Sequence, residues 1–166
     1  MTRDPISEAH RQWVAHGWGD AADGMAMVTS VVRAQQLLME RIDAVLRPRG
    51  LTFARYEVLR LLSFARDAAM PMSRLGSLLQ VHPTSVTSAV DRLVAQGYVE
   101  RVRSDEDKRV VRAVLTDPGR EAVDEATAAL NGAVFEAPGL PGGEVRALTD
   151  RLTALRNGLG DGEPDR

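Results

Sequence analysis

The chain has 166 residues, of which 44% are hydrophobic, 27% charged and only 4% aromatic. These values lie near globular averages and exclude a disordered, collagen-like or purely coiled-coil chain, while the length suits one domain or one domain with additional helices. Cysteine is absent, which excludes disulfides, thiol catalysis and cysteine-ligated metal sites. No apolar run approaches the roughly 20 residues that span a bilayer, and the first residues lack the apolar core of a signal peptide. We therefore expect a cytoplasmic protein.

The net charge of −2 hides an uneven distribution. Residues 73–112 carry seven basic and five acidic side chains, whereas the rest of the chain carries 14 basic and 18 acidic ones. A basic segment within an acidic frame is expected when one face of a protein meets a polyanion such as nucleic acid.

A long amphipathic helix is predicted from about residue 21 to residues 47–50, where proline and glycine end it. About 25 helical residues make a rod of roughly 37 Å, which is longer than a small domain needs for its own core. Part of this helix is therefore expected to pack against another chain. Its seam has spacings of three and four residues, is interrupted by Gln35, and otherwise consists of Val28, Val31, Leu38, Ile42 and Val45.

A group of shorter helices is predicted next. Thr52 is expected to cap a helix that runs to about residue 65, and residues 66–71 are interpreted as a connector. Ser73 is expected to cap a short helix. Pro83 suits the first position of the following helix, which Gly97 ends as a left-handed cap.

A hairpin and two more helices complete the predicted order. Two valine-rich runs, 98–103 and 109–115, flank a polar stretch and predict an antiparallel hairpin with a long tip. A helix is predicted from 116–119 to about residue 133, and a break at 137–143 precedes the last helix. The seam of that helix is Val145, Leu148, Leu152, Leu155 and Leu159.

The helix that begins at Pro83 has an outer face suited to DNA. Val86, Val90, Leu93 and Val94 are predicted to point inward. The opposite face is small, hydroxyl-rich and uncharged over two turns, which lets a helix backbone approach base edges in the major groove. A solvated surface helix is the alternative, although serine and threonine are poor helix formers for that purpose. The outward residues are Thr84, Ser85, Thr87, Ser88, Asp91 and Arg92.

The hairpin adds a cluster of cations that can reach along a duplex into the minor groove. A charged edge hairpin that prevents aggregation is the alternative. Asp107, two residues before Arg109, is expected to orient the Arg109 guanidinium. The cations are Arg101, Arg103, Lys108, Arg109 and Arg112.

Three motifs in combination resemble the MarR family of bacterial transcription regulators. They are the run from His82 to Val99, the triplet Asp107-Lys108-Arg109, and Leu115-Thr116 with Gly119 three residues after the threonine. The resemblance covers about residues 25–160. It implies a mainly α fold with a small β-hairpin wing, that is, a winged helix-turn-helix with N- and C-terminal dimerisation helices. It also implies a homodimer that binds double-stranded DNA, usually as a repressor.

The resemblance assigns roles to individual side chains as well. Many members release DNA when a small anionic or phenolic ligand binds between the dimer and DNA-binding lobes, which implies a small anionic or aromatic effector and no other cofactor. The tryptophans of residues 1–20 are similar to those of the urate- and aconitate-responsive branch. Trp13 and, second, Asp43 are therefore candidate ligand residues, and simple packing of Trp13 and Trp18 on the dimer is the alternative. The implied major-groove residues are Pro83, Thr84, Ser85, Thr87, Ser88 and Arg92, with Arg109, braced by Asp107, in the minor groove.

The sequence thus predicts a ligand-responsive repressor that binds a pseudo-palindromic operator as a homodimer. A winged-helix module for protein interactions, without specific DNA contact, is the alternative. No catalytic or metal site is predicted, because the three histidines are widely separated and no nucleophile motif is present. The predicted segments are a helical extension (1–20), a dimerisation helix (21–50), a winged-helix DNA-binding domain (51–116), C-terminal dimerisation helices (117–160) and a frayed tail (161–166).

Overall fold

A computed structural model describes residues 4–79, 83–104 and 107–161 of the chain. His82 of the family-like run, residues 105–106 of the polar hairpin tip and residues 162–166 of the predicted tail lie outside the described residues.

A short helix begins the described part of the chain. Helix α1, Pro5–Ala15, starts where Asp4 Oδ2 accepts a hydrogen bond from the Ser7 N–H at 3.0 Å. This helix folds back along the next one, because His10 Nε2 and Asp23 Oδ1 are only 2.8 Å apart. The N-terminal residues therefore form one arm of a helical hairpin.

The second arm of this hairpin is the long helix α2, Gly19–Leu46. Its 28 residues give a length of about 42 Å, so the predicted long rod is confirmed. A short turn, Arg47–Arg49, and Gly50 with φ of 67° end it at the predicted place. Neither α2 nor any other helix among the described residues is long and apolar enough to cross a membrane.

A lobe of three helices and a small sheet follows α2. The strands are antiparallel and lie in the order β1-β3-β2. The three predicted helices and the predicted hairpin are confirmed. Their bounds are Phe53–Phe64 for α3, Ala69–Pro71 for β1, Met72–Leu79 for α4, Pro83–Ala95 for α5, Val99–Arg103 for β2 and Val111–Leu115 for β3.

The expectation that residues 66–71 are only a connector is wrong. Asp67 and Ala68 adopt left-handed backbone, with φ of 59° and 50°, and lead into β1, where Met70 pairs with Ala113 of β3. Three residues are too few to show the alternation that marks a strand. Moreover, a strand that ends in Pro71 can lie only at a sheet edge.

The C-terminal part contains two helices that differ in burial. Helix α6, Asp117–Leu130, continues as a π turn, Asn131–Phe135, and so ends slightly beyond the predicted residue 133. The Arg41 guanidinium of α2 donates to the Ala133 and Ala137 carbonyl oxygens at 2.7 and 2.8 Å and satisfies this end. Helix α7, Gly142–Gly158, has no buried residue.

One hydrophobic core joins the lobe to α2 and α6. Ile42 and Leu46 from the last turns of α2 and Val123, Ala126 and Leu130 from α6 are buried in it. The lobe is thereby held against both helices. It contributes Tyr56, Val58, Leu59, Leu62, Met70, Leu75, Val86, Val90, Leu93, Val99, Ala113 and Leu115.

Candidate nucleic-acid interface

Helix α5 has one face in the core and one in solvent. Val86, Val90 and Leu93 are buried, as predicted. Val94, also predicted to point inward, is 39% exposed, because it lies roughly 80° around the helix from Val86 and beyond the edge of the buried face. The predicted outward residues Thr84, Ser85, Thr87, Ser88 and Arg92 are exposed.

The Arg101 guanidinium is bound to α5. Arg101 Nη1 lies 2.6 Å from Asp91 Oδ1, and Nη2 donates to the Thr87 carbonyl oxygen at 3.4 Å. The sequence predicts Arg101 to be one of the DNA-contacting cations. In the structure its guanidinium links α5 to the hairpin.

The hairpin tip holds its cations in a closed turn. Asp107 Oδ1 accepts a hydrogen bond from the Arg109 backbone N–H at 2.9 Å, and the Asp107 carbonyl oxygen accepts from the Val110 N–H at 2.9 Å. We expected this carboxylate to contact the Arg109 guanidinium. It binds the Arg109 backbone N–H and not the guanidinium. A carboxylate two residues before an N–H closes an Asx turn more readily than it reaches the long side chain.

Three cations of the hairpin are exposed to solvent. They are Arg103, Lys108 and Arg109. Within the described residues their charged groups form no ion pair or hydrogen bond. Cations left in this state beside a polar helix face are available to phosphate.

Arg112 lies on the other face of the sheet. Side chains alternate between faces along a strand, and the register pairs Arg101 with Ala113 and Arg112 with Val102. Arg101 and Arg103 therefore share the face that meets α5, whereas Arg112 points away from it. The sequence alone does not show that these arginines lie on different faces.

Helices α2 and α7 expose an apolar surface, here called the α2–α7 surface. Most of the predicted seams remain in solvent: Val31 is 37% exposed and Leu152 is 38% exposed. A groove of about 530 Å³ with almost entirely apolar walls runs between the two helices. It is lined by Ser30, Val31, Ala34, Gln35, Leu38, Met39, Ile42, Leu148 and Leu152.

The candidate ligand residues Trp13 and Asp43 are not brought together. The Trp13 ring packs edge-on against Trp18, with centroids 5.3 Å apart, and Asp43 pairs with Arg47 at 3.0 Å. Trp18 and Asp43 lie at opposite ends of α2, about 37 Å apart along the helix. Because Trp13 packs on Trp18, Trp13 and Asp43 can share a site only if they come from different protomers.

A cavity of about 350 Å³ lies between the lobe and the π turn after α6. Tyr56, Glu57 and Arg60 of α3 line it together with Phe135 of the π turn. Burial raises the pKa of the Glu57 carboxyl. No site was predicted here, although two polar side chains four residues apart on an apolar helix face, at 56 and 60, are a signal for one.

The Arg60 side chain connects α3 to α6 beside this cavity. It donates to the Val123 carbonyl oxygen at 2.9 Å and pairs with Asp124 at 3.1 Å. Tyr56 Oη lies 3.0 Å from Thr127 Oγ1 in the same contact. A change in the positions of the side chains that line the cavity would therefore alter the contacts between α3 and α6.

The fold and this surface define a class of protein. Two consecutive helices, the second of which exposes a polar face, followed by a cationic two-stranded hairpin, are the arrangement of a winged helix-turn-helix. The MarR family model matches residues 49–110.

Comparison with known proteins identifies the family. Sco5413, a MarR family transcriptional regulator from Streptomyces coelicolor, is 43% identical with a TM-score of 0.76, and the match covers 86% of this chain and 99% of that one. Sco3205, a MarR family regulator of the same organism solved in complex with DNA, is 26% identical with a TM-score of 0.75, over 87% of this chain and 90% of that one. The chain belongs to the MarR family.

The curated relatives match over a shorter length. YhbI of Bacillus subtilis, an uncharacterized HTH-type transcriptional regulator, is 31% identical over 51% of this chain and 54% of its own length. The chain thus spans about half the length of the curated relatives it matches.

Proposed function

We propose that the protein is a homodimeric, sequence-specific DNA-binding repressor of transcription in the bacterial cytoplasm, without a catalytic role. The observation that carries this proposal is the exposed, uncharged hydroxyl face of α5 beside hairpin cations that have no ion-pair partner among the described residues. The complex of Sco3205 with DNA supports it, since that regulator has the same fold.

The exposed side chains divide by their chemistry. Small hydroxyls read base edges in the major groove, whereas cations bind phosphate or enter the minor groove. Arg109, at the hairpin tip, is the cation that reaches the minor groove. The base-reading helix starts at Pro83 and offers Thr84, Ser85, Thr87, Ser88 and Arg92, and the hairpin offers Arg103, Lys108 and Arg109.

Dimerisation follows from the α2–α7 surface. An apolar groove this long is costly in water and is covered when a second copy packs its own α2 and α7 on it. A two-fold axis then places two copies of α5 on one side, and the operator should be an inverted repeat with half-sites about 34–36 Å apart.

A selection experiment tests the proposal. The purified protein is used to enrich duplexes from a random pool, and the enriched sequence is measured by fluorescence anisotropy at several salt concentrations. An inverted repeat bound about a thousandfold more tightly than random duplex, with a steep loss of affinity in salt, is expected. No enrichment would favour the alternative, a winged-helix module that binds protein.

The hairpin role of Arg109 gives a first prediction. Arg109→Ala should weaken operator binding by about 1–3 kcal/mol, because it removes an exposed guanidinium from the groove. Fluorescence anisotropy at fixed salt measures this. The matched control Arg120→Ala removes an exposed arginine of α6 and should leave the affinity unchanged; equal losses in both variants would contradict the assignment.

The ion pair between Arg101 and Asp91 gives a second prediction. Arg101→Ala and Asp91→Ala should each weaken operator binding, and the double variant should bind no worse than either single one, with a coupling of about 0.5–1 kcal/mol. The reason is that both variants release α5 from the hairpin. Additive effects, with a lower salt slope for Arg101→Ala alone, would instead make Arg101 a phosphate contact.

We place effector response in the cavity between the lobe and the π turn. Its lining joins the lobe to α6 through Tyr56 and Arg60, so an occupant there changes how the lobes sit on the dimer. Glu57 lines the cavity, and its carboxylate repels a second one, so that end favours an aromatic or phenolic occupant over one with a carboxylate.

A further inference from the structure

One side chain at the end of α5 is bonded to two other helical elements. Gln96, the residue that follows α5, donates from Nε2 to the Gly50 carbonyl oxygen at the end of α2, at 3.0 Å. Its Oε1 accepts from Arg55 Nη1 of α3 at 3.2 Å. Because Gln96 is exposed, these two hydrogen bonds, and not burial, hold its side chain in place.

The groups that Gln96 joins are themselves fixed. Helices α2 and α5 both stop at a glycine with left-handed backbone, Gly50 with φ of 67° and Gly97 with φ of 76°. The N–H of the residue after each glycine donates to a carbonyl oxygen in the last helical turn, at 3.2 Å in α2 and 2.9 Å in α5, as in a Schellman cap. Arg55 Nε donates to Thr52 Oγ1 at 3.2 Å. The amide of Gln96 therefore connects three restrained groups.

The position of Gln96 at one end of α5 gives its contacts leverage over the other end. The core holds one side of α5, and Arg101 holds it to the hairpin through Asp91 at 2.6 Å. From Gln96 back to Pro83 the helix is about 20 Å long, so a rotation of about 5° at the Gln96 end moves the Pro83 end by about 1.7 Å. Hydrogen bonds to base edges do not survive a displacement of that size.

We propose that Gln96 is a positioning residue that sets the angle of α5 against α2, and thereby the half-site spacing that the dimer accepts. Helix α2 contributes to the α2–α7 surface on which two copies pack, whereas α5 reads base edges. The bond from Gln96 to Gly50 thus links the dimer interface to the DNA-reading helix. A lobe that is held at this angle distinguishes one spacing from the next, and a lobe released from it accepts several. The inference rests on the proposed function, because it requires a homodimer that binds an inverted repeat.

Operators with altered spacers test this role. The operator selected by the unsubstituted protein is compared, by fluorescence anisotropy, with versions whose spacer is one base pair longer or shorter. Gln96→Met keeps the length of the side chain and removes both hydrogen bonds, so the preference for the selected spacer should fall about five- to tenfold. The salt dependence of binding should stay the same, because no charge is removed.

Gln12→Met is the matched control. Gln12 is also exposed, and its amide donates to Glu8 Oε1 at 2.9 Å within α1, so the substitution removes a glutamine bond that joins no separate elements. The spacer preference of this variant should stay within about twofold of that of the unsubstituted protein.

A measurement without DNA reports on the angle of α5 directly. The chain has no cysteine, so Ser88→Cys on the exposed face of α5 provides one nitroxide site in each protomer. Pulsed electron paramagnetic resonance then gives the distribution of distances between the two labels of a dimer. Adding Gln96→Met should broaden this distribution, and adding Gln12→Met should leave it unchanged.

Two outcomes would overturn the role of Gln96. The first is a Gln96→Met protein with the same spacer preference and the same label distances as the unsubstituted one. The second is an equal loss of affinity at every spacer with unchanged label distances, which would make Gln96 a direct DNA contact. A protein that selects no operator would contradict the proposed function instead, whereas the label distances would still show whether Gln96 holds α5 in place.

Discussion

Leu152→Asp should convert the protein from a dimer into a monomer and weaken operator binding about a hundredfold or more. Leu152 lies in the apolar groove between α2 and α7 and is 38% exposed. An aspartate there places an unpaired charge in an interface from which water is excluded. The free-energy cost of burying that charge destabilises the dimer. The loss in affinity follows because two linked half-site contacts bind about 10²–10⁴-fold more tightly than one. Light scattering after size exclusion measures the mass, and fluorescence anisotropy measures the affinity.

Ala154→Asp is the matched control for this variant. Ala154 is two residues further along α7 and exposed, which places it on the opposite helix face. The same charge should leave the dimer and the operator affinity unchanged there. A Leu152→Asp protein that stays dimeric would show that α7 contributes nothing to the interface.

The spacing of apolar residues in the sequence was enough to predict the exposed face of α2, which forms part of the α2–α7 surface. The three-and-four spacing of Val28, Val31 and Leu38 predicts one face of α2, and the same residues stay exposed in the folded chain. A seam that the chain's own core leaves uncovered indicates a partner chain. On α5 the same reasoning succeeds for Val86, Val90 and Leu93 and fails for Val94, which lies where the helix leaves the core.

The assignment of individual cations could not be made from the sequence. Which face of the sheet carries Arg101 and which carries Arg112 depends on the strand register, and a one-residue shift between β2 and β3 would place both on the same face. The partner of Arg101 is Asp91, ten residues earlier and on a different element. Sequence patterns identify a basic hairpin, but only the tertiary fold separates a positioning side chain from one that meets a ligand.

Contacts between distant parts of the chain were also beyond sequence reasoning. The bond from Gln96 to Gly50 and the link from Arg60 to Asp124 both join residues far apart in the chain. A pattern read along one helix contains no information about such pairs. The strand β1 was missed for a related reason, since its only evidence is its pairing with β3.

Gly119→Ala should lower the free energy of unfolding by about 3 kcal/mol or more. Gly119 is buried in the first turn of α6, where its N–H donates to Thr116 Oγ1 at 3.1 Å. A Cβ at this position would lie 2.1 Å from the Tyr98 carbonyl oxygen and 2.9 Å from Leu115 Cδ1. The carbonyl is backbone and cannot rotate away, so the hairpin and α6 would have to separate. Urea unfolding at one fixed protein concentration measures the effect, because the stability of a dimer depends on concentration.

Gly24→Ala separates crowding from the general effect of replacing a helical glycine. Gly24 lies within α2, and a Cβ there would meet no atom within 4 Å among the described residues. The substitution should therefore raise the free energy of unfolding by about 0.5–1 kcal/mol, as alanine does in an open helix. Opposite signs for the two variants would show that the glycine after Leu115-Thr116 is required by the contact between α6 and the hairpin. If Gly119→Ala were as stable as the unsubstituted protein, α6 would not pack against Tyr98 as closely as the structure has it.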